Sequence, residues 1–180
     1  MPISYSQIDQ DTLDLSHLDG LCALFAAVEQ SDAAPYLDPP NRDFFARTLG
    51  TSYANVLACD GDGDGDGDKI VGYAVLQLLS EWPDYMSGPG INEPNFPCQL
   101  SAMILFTLVH PDYRTQGINK RMTQLRLEAA KAAGVKYLFS TVHPNNTASL
   151  SHLTAIGMKA IAQRPMFDQQ VLRNLMFMAL

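Results

Sequence analysis

The run from Leu100 to Val109 is the feature that most constrains how this chain folds, because nearly every residue in it is apolar. A strand of this composition must be covered on both faces, as the central strands of α/β proteins are. The run stops at His110-Pro111-Asp112, since proline cannot donate a hydrogen bond to a neighbouring strand. We therefore predict a buried strand that ends in a turn.

Helical spacing begins directly after this turn and continues to Gly134. The side chains expected on the inner face of this helix are Ile118, Met122, Leu125, Ala129 and Ala133. Similar patterns predict helices over 13–28, 41–49 and 146–156, and strands over 55–59, 69–79, 135–142 and, as a pair, 158–180. The expected order is β-α-α-β-β-β-α-β-α-β-β, with no internal repeat.

The length of 180 residues fits one domain spanning 1–180. Hydrophobic residues make up 47% of the chain and charged residues 17%, which is typical of a soluble globular protein. No apolar run approaches the ~18 residues of a membrane span, and the polar start MPISYSQIDQ does not resemble a signal peptide. We expect a cytoplasmic protein with no membrane partner.

The net charge of −7 comes mostly from one tract, DGDGDGDGD at 60–68. Without the five aspartates of this tract, 12 basic residues face 14 acidic ones, a net charge of −2. A nearly neutral body without clustered Lys and Arg argues against a nucleic-acid partner.

The Asp-Gly tract at 60–68 is predicted to be a hairpin loop between two strands. Its opening also fits the start of an EF-hand loop, but the twelfth position, which should be a bidentate glutamate, is Val71. A calcium-responsive binding module is therefore the third and weakest functional alternative. The cysteines, Cys22, Cys59 and Cys98, lack C-x-x-C spacing, so neither a disulfide framework nor a metal site is expected.

A second irregular segment, 80–99, carries four prolines and two glycines, and we expect no regular structure in it. It also contains three aromatic residues, Trp82, Tyr85 and Phe96. Two interpretations stay open: these rings line a pocket, or they cover the core.

The segment from Val109 to Lys120 is the one that carries chemistry. It places a turn and several backbone N–H groups between a buried strand and the N-terminus of a helix, which is the geometry of an anion site. Gly117 permits a phosphate to approach the backbone closely, while Arg114 and Lys120 supply positive charge.

This segment resembles the signature V-x-P-x-x-R-x-x-G-x-G/A of the GNAT superfamily of acyl-CoA-dependent N-acetyltransferases. The matching residues are Val109, Pro111, Arg114 and Gly117, followed one strand later by Asn146 and the pair Gly157-Met158. The resemblance implies an α/β (α+β) fold with a mixed central sheet of about seven strands and about four helices. It implies acetyl-CoA as cosubstrate, no metal, and an acyl-CoA-binding segment at 109–157.

The expected CoA contacts lie in two groups. The first group comprises Leu108, Val109, Arg114, Thr115, Gln116, Gly117, Ile118, Asn119 and Lys120. The second comprises Asn146, which would bond the pantetheine arm, and Ser149. Asn146 equally suits a plain helix N-cap.

The chain departs from the family pattern at two positions. Asn119 replaces the second glycine or alanine, so its side chain either adds a hydrogen bond or crowds the phosphate. Leu153 stands where many members carry a tyrosine that protonates the departing thiolate. The usual general acid is therefore missing.

Acetyl transfer needs a neutral amine and therefore a proton acceptor, for which the chain offers Glu81 and His143 as alternative bases. His110 is interpreted as a surface residue. The first functional prediction is acetyl transfer from acetyl-CoA to a primary amine of a small molecule or peptide. The second is an acyl-CoA-binding protein of the same fold with little or no catalysis. The identity of the amine acceptor is not readable, and both a monomer and a homodimer stay open.

Overall fold

The computed structural model describes residues 2–8, 15–36, 45–46, 48, 53–61, 69–86, 96–167 and 171–180. The strands are β1 (Ile3–Ile8), β2 (Tyr53–Asp60), β3 (Lys69–Leu78), β4 (Ser101–Val109), β5 (Tyr137–Val142), β6 (Lys159–Met166) and β7 (Val171–Ala179). The α-helices of the described ranges are α1 (Leu15–Glu29), α2 (Ile118–Ala132) and α3 (Thr147–Ala155). The predicted helix over 41–49 lies mostly outside the described residues, although Phe45, Ala46 and Thr48 are helical.

The seven strands form one sheet in the order β1-β2-β3-β4-β5-β7-β6. β4 and β5 are parallel, whereas β1 pairs antiparallel with β2, and β7 pairs antiparallel with both β5 and β6. The predicted mixed α/β architecture is therefore confirmed. β2 and β3 are neighbours, as the predicted hairpin requires, and residues 62–68 of its Asp-Gly loop lie outside the described residues.

The chain divides into two compact units, 1–76 with 106–129 and 77–105 with 130–180. In the first unit, Ile118 and Met122 of α2 pack against a cluster that includes Val56, Ala58 and Val71. A Cβ at Gly72 would lie 3.0 Å from Ile118 Cγ2 and 3.1 Å from Met122 Sδ. A glycine in β3 thus allows α2 to lie close to the strand. The single domain over 1–180 stays a prediction.

The inner face of α2 differs from the one predicted. Its buried residues are Ile118, Met122, Thr123, Arg126 and Ala130, whereas Ala133 is exposed. Leu125 and Ala129 are half-buried at the margin. The prediction followed apolar residues alone and therefore missed Arg126, although the four-residue spacing from Ile118 and Met122 leads to it.

The second unit has its own core, which is formed around Met103, Phe139 and Leu175. Trp82 and Phe96 pack edge to face on Phe139, with ring centroids 5.3 and 5.4 Å apart. The aromatic residues of segment 80–99 therefore cover the core, as the second interpretation holds. The expectation of no regular structure there is wrong for two short 3₁₀ turns, Asp84–Met86 and Cys98–Leu100. Residues 87–95 lie outside the described residues.

None of the helices in the described ranges is long and apolar enough to cross a membrane. The three cysteines carry free thiols, and Cys98 is buried.

Candidate functional site

A β-bulge interrupts β4 before the predicted site. Leu79 N donates to Ser101 O (3.1 Å), and His110 N donates to Val71 O (2.8 Å), so Ser101 and His110 both direct backbone groups toward β3. Residues facing one edge of a regular strand are separated by an even number of positions, but Ser101 and His110 are separated by an odd number. One extra residue must therefore lie in β4.

The position of the bulge follows from two carbonyl groups. Ile104 is the last residue of β4 that pairs with β5. Its carbonyl oxygen accepts a hydrogen bond from Ser140 Oγ at 2.9 Å. Phe106 O and Val75 O of β3 both lie 3.4 Å from the same atom, Arg126 Nη1. Alternation back from His110, which faces β3, also sets Phe106 toward β3, so we infer that the extra residue is Leu105.

Beyond the bulge, alternation sends the N–H groups of Thr107 and Val109 to the edge of β4 that faces away from β3. Leu108, the residue between them, is buried and faces β3 through its backbone.

The turn after β4 contains two residues with left-handed backbone angles. Pro111–Tyr113 form a 3₁₀ turn, after which Thr115 and Gly117 adopt positive φ angles of 67° and 81°. A Cβ at Gly117 would meet no atom within 4 Å. Glycine is therefore required by the backbone angle and not by crowding, and the space beside it is open to a ligand.

The N-terminus of α2 meets the requirements of a phosphate site. The first helical bond runs from Arg121 N to Gly117 O (3.0 Å), so the amides of Ile118, Asn119 and Lys120 precede it and have no partner within the helix. Lys120 and Gln116 are exposed, whereas the Ile118 side chain is buried and contributes only its backbone. Open space, oriented N–H groups and the helix dipole are the features of an anion site, and binding of the acetyl-CoA pyrophosphate there stays a prediction.

The side chain of Arg114 is paired with residues that follow α1. Its Nη1 lies 2.5 Å from Asp32 Oδ1, and its Nη2 lies 2.8 Å from Ser31 Oγ. The predicted cation of the turn is thus present, but a carboxylate compensates part of its charge. A direct contact between Arg114 and phosphate stays a prediction.

His110 and Tyr113 anchor the turn to the ends of β2 and β3. His110 Nε2 lies 3.1 Å from Lys69 Nζ, and the Tyr113 hydroxyl donates to the Asp60 carboxylate. The side chain of His110 is 13% exposed, so this residue is half-buried at the surface and not fully exposed. Burial, with Lys69 as the next cause, lowers the pKa of His110 below its ordinary value.

Asn119 points along the helix. Its Oδ1 accepts a hydrogen bond from Thr123 Oγ1 at 3.4 Å, one turn further into α2. The side-chain oxygen is thereby directed toward the next turn of α2, and the effect of Asn119 on phosphate binding stays a prediction.

Asn146 is the N-cap of α3, because its Oδ1 accepts from Ser149 N at 3.1 Å. The capping interpretation is therefore confirmed, and it leaves the Nδ2 group as the donor for the predicted pantetheine contact. Leu153 lies on the same helix and is 7% exposed. The position that carries a tyrosine in many family members holds a buried apolar side chain here.

The two predicted bases differ in their surroundings. His143 Nδ1 accepts a hydrogen bond from Asn145 N at 3.1 Å, an arrangement that puts the proton of the neutral ring on Nε2. Glu81 is exposed. Both assignments stay predictions. Within the described ranges, no group of three or more His, Cys, Asp or Glu residues is arranged to hold a metal ion.

Comparison with solved structures shows the same fold in known acetyltransferases. The ribosomal-protein-S18-alanine N-acetyltransferase from Escherichia coli has 18% identity and a TM-score of 0.67, covering 99% of this chain and 94% of that one. NAA60 from Arabidopsis thaliana, in complex with a bisubstrate analogue, has 14% identity and a TM-score of 0.71, covering 99% of both chains. A putative acetyltransferase from Salmonella typhimurium, solved with its cofactor acetyl-CoA, has 15% identity and a TM-score of 0.65, covering 99% and 94%.

No curated protein sequence matches the chain. The profile of the acetyltransferase (GNAT) family matches residues 21–158, which include the bulged strand, the turn at Gly117 and the Asn146 cap. The chain therefore belongs to the GNAT acetyltransferase family.

Proposed function

We propose that this acetyltransferase moves the acetyl group of acetyl-CoA to a primary amine of a small molecule or peptide in the cytoplasm. The observation that carries the proposal is the open, amide-lined turn at Gly117, which lies inside the segment matched by the family profile. Arg114, Lys120 and the amides of residues 117–120 would hold the phosphates, while Asn146 Nδ2 would donate to the pantetheine arm.

Acetyl transfer builds negative charge on the thioester carbonyl oxygen, and acetyl-CoA supplies that carbonyl as an activated thioester when bound. The N–H groups of Thr107 and Val109 point to the edge of β4 where such an oxygen could be received. A lysine-like amine has a pKa near ~10.4, so a base must remove its proton or the site must admit its neutral form. Glu81 and His143 are the proposed bases.

The similar structures suggest which acceptors to test first. One similar structure is a ribosomal-protein alanine N-acetyltransferase, and another is the NatC complex bound to Gag peptide and CoA. Identities of 14–18% do not transfer a substrate to this chain. They do make peptides with a free α-amino group the first acceptors to test.

The second candidate is an acyl-CoA-binding protein with little or no catalysis. It is favoured by Leu153, because a buried leucine cannot protonate a departing thiolate. The two candidates agree on acetyl-CoA binding and differ only in turnover.

A panel of amines assayed by mass spectrometry tests the proposal. The panel should contain peptides with a free N-terminus, N-blocked peptides with one lysine, and small mono- and polyamines, each with acetyl-CoA and purified protein. Product detection is preferable to thiol detection because the protein itself carries three free cysteines. Acetylation of one class at a rate that scales with enzyme confirms transfer. Tight acetyl-CoA binding without any acetylated amine favours the second candidate.

A further inference from the structure

Arg126 is a charged side chain in the middle of an apolar helix face. Only 1% of its surface is exposed, and it lies between Met122 and Ala130 on the side of α2 that packs on the sheet. No carboxylate of the described residues pairs with it, and burial lowers its pKa to about 9, which keeps it charged at neutral pH. A buried cation without a carboxylate partner among the described residues is costly, so its presence requires a reason.

The guanidinium is fixed by three hydrogen bonds. Nη1 donates to the carbonyl oxygens of Val75 and Phe106, each at 3.4 Å, and Nη2 donates to Thr123 Oγ1 at 2.9 Å. Thr123 in turn donates to Asn119, the residue that departs from the family signature. The guanidinium of Arg126 therefore lies on the α2 side of the sheet. It is bonded to β4 at Phe106, the residue that follows the bulge at Leu105.

The contact with Phe106 bears on the proposed site through one peptide group. The carbonyl of Phe106 and the N–H of Thr107 belong to the same planar amide and point in opposite directions. A cation bonded to the carbonyl draws electron density from the amide nitrogen, which makes the N–H a stronger donor. Thr107 N–H is one of the two groups that alternation directs to the edge of β4 facing away from β3.

We propose that Arg126 is a positioning residue that polarises the Phe106–Thr107 peptide and fixes the bulge, so that Thr107 N–H stabilises the acetyl carbonyl oxygen as it gains charge. This inference rests on the proposed function. Such a cation acts through a low-dielectric interior and needs no rearrangement during the reaction. It also suits a chain in which Leu153 replaces the usual acid, since stabilising charge at the carbonyl does not depend on proton donation.

The test is the carbonyl stretching frequency of bound acetyl-CoA labelled with ¹³C at the acetyl carbonyl, measured by difference infrared spectroscopy. In the wild type, the stretch should move to lower frequency on binding. In Arg126→Leu the stretching frequency should return toward that of free acetyl-CoA, while the affinity for acetyl-CoA stays within about threefold of the wild type. With the best amine acceptor, kcat should fall roughly tenfold to a hundredfold, a smaller loss than removal of a direct oxyanion donor causes.

Controls separate polarisation from packing. Arg126→Leu replaces a buried ion with an apolar side chain, so its melting temperature should equal or exceed that of the wild type. Arg126→Lys keeps a cation with fewer donors and should give an intermediate stretch. Lys131→Leu removes an exposed cation of the same helix and should leave the stretch unchanged. If Arg126→Leu does not fold, Arg126→Lys still tests the proposal through the intermediate stretch.

A wild-type stretch that does not move on binding, or variants that keep the wild-type stretch, would overturn the inference. A structural role alone predicts a lower melting temperature with an unaltered stretch. If the stretch responds as expected but no amine is acetylated, the proposed function fails, whereas the polarisation of the bound carbonyl by Arg126 stands. If amines are acetylated equally by wild type and Arg126→Leu, the inference fails and the proposed function stands.

Discussion

Arg114 and Asp32 form an ion pair, with Nη1 and Oδ1 2.5 Å apart, across 82 positions of the sequence. The Asp32 side chain is 86% exposed, whereas that of Arg114 is 32% exposed. An exposed pair of this kind contributes only about 0–1 kcal/mol to stability. Its larger effect is electrostatic, because the carboxylate offsets positive charge beside the turn that is proposed to bind phosphate.

Replacement of Asp32 by asparagine should therefore strengthen acetyl-CoA binding. We expect the Kd to fall about twofold to fivefold at low salt, with a smaller change at high salt, where charge interactions are screened. Isothermal titration calorimetry at two salt concentrations measures both effects. Glu29→Gln removes another exposed acidic charge at the end of α1 and is the matched control. Equal gains in the two variants would show that net charge, and not the pair with Arg114, is responsible.

Gly117→Val should abolish detectable acetyl-CoA binding. The added side chain enters the open space beside the amides and also opposes a φ of 81°. Gly134→Val is a close control, because Gly134 has a φ of 75° and a Cβ there also meets nothing within 4 Å. Both variants should lose similar stability in urea denaturation, about 1–2 kcal/mol. Calorimetry should show normal binding only for Gly134→Val, and normal binding by Gly117→Val would mean that the phosphate site is elsewhere.

The parts of the site that the sequence predicted depend on local rules. Proline at 111 ends a strand, glycine at 117 supplies a positive φ, and asparagine at 146 caps a helix, so each could be read without knowledge of distant residues. The parts that were missed depend on tertiary structure. A charged residue such as Arg126 is expected at the surface, and nothing in the sequence around Arg114 points to Asp32. The bulge at Leu105 depends on registers with both neighbouring strands.

The pH dependence of stability should carry a contribution from His110. Its folded-state pKa is lowered, first by burial and then by Lys69, while Asp112 opposes the shift. The unfolded chain therefore binds a proton at His110 more readily than the folded chain does. As the pH falls below about 6.5, the ordinary histidine value, this difference reduces the free energy of unfolding. Above that pH the contribution vanishes.

His110→Asn isolates the contribution of His110 to the pH dependence of stability. The asparagine oxygen can still accept a hydrogen bond from Asp112 N, as His110 Nδ1 does at 3.3 Å. Between pH 8 and pH 5.5, urea denaturation should show a larger decrease in the free energy of unfolding for the wild type than for His110→Asn. The other histidines and the carboxylates titrate in both proteins and cancel in the comparison. Parallel losses would contradict a lowered pKa at His110.

The last prediction concerns Leu153, the buried residue at the position of the family's tyrosine acid. A CoA thiol is far more acidic than an alcohol, so the thiolate can depart without a proton donor, and amine deprotonation should limit the rate. Leu153→Tyr should therefore change kcat by less than about tenfold, or ~1.4 kcal/mol in the barrier. Leu153→Phe is the matched control, because it adds the same ring without the hydroxyl. Both variants carry the same cost of overpacking, about 1–3 kcal/mol. The ratio of kcat between the two variants measures the hydroxyl alone. If Leu153→Tyr exceeds Leu153→Phe by far more than tenfold, with equal acetyl-CoA affinity, then the missing acid limits the wild type and the noncatalytic candidate takes precedence.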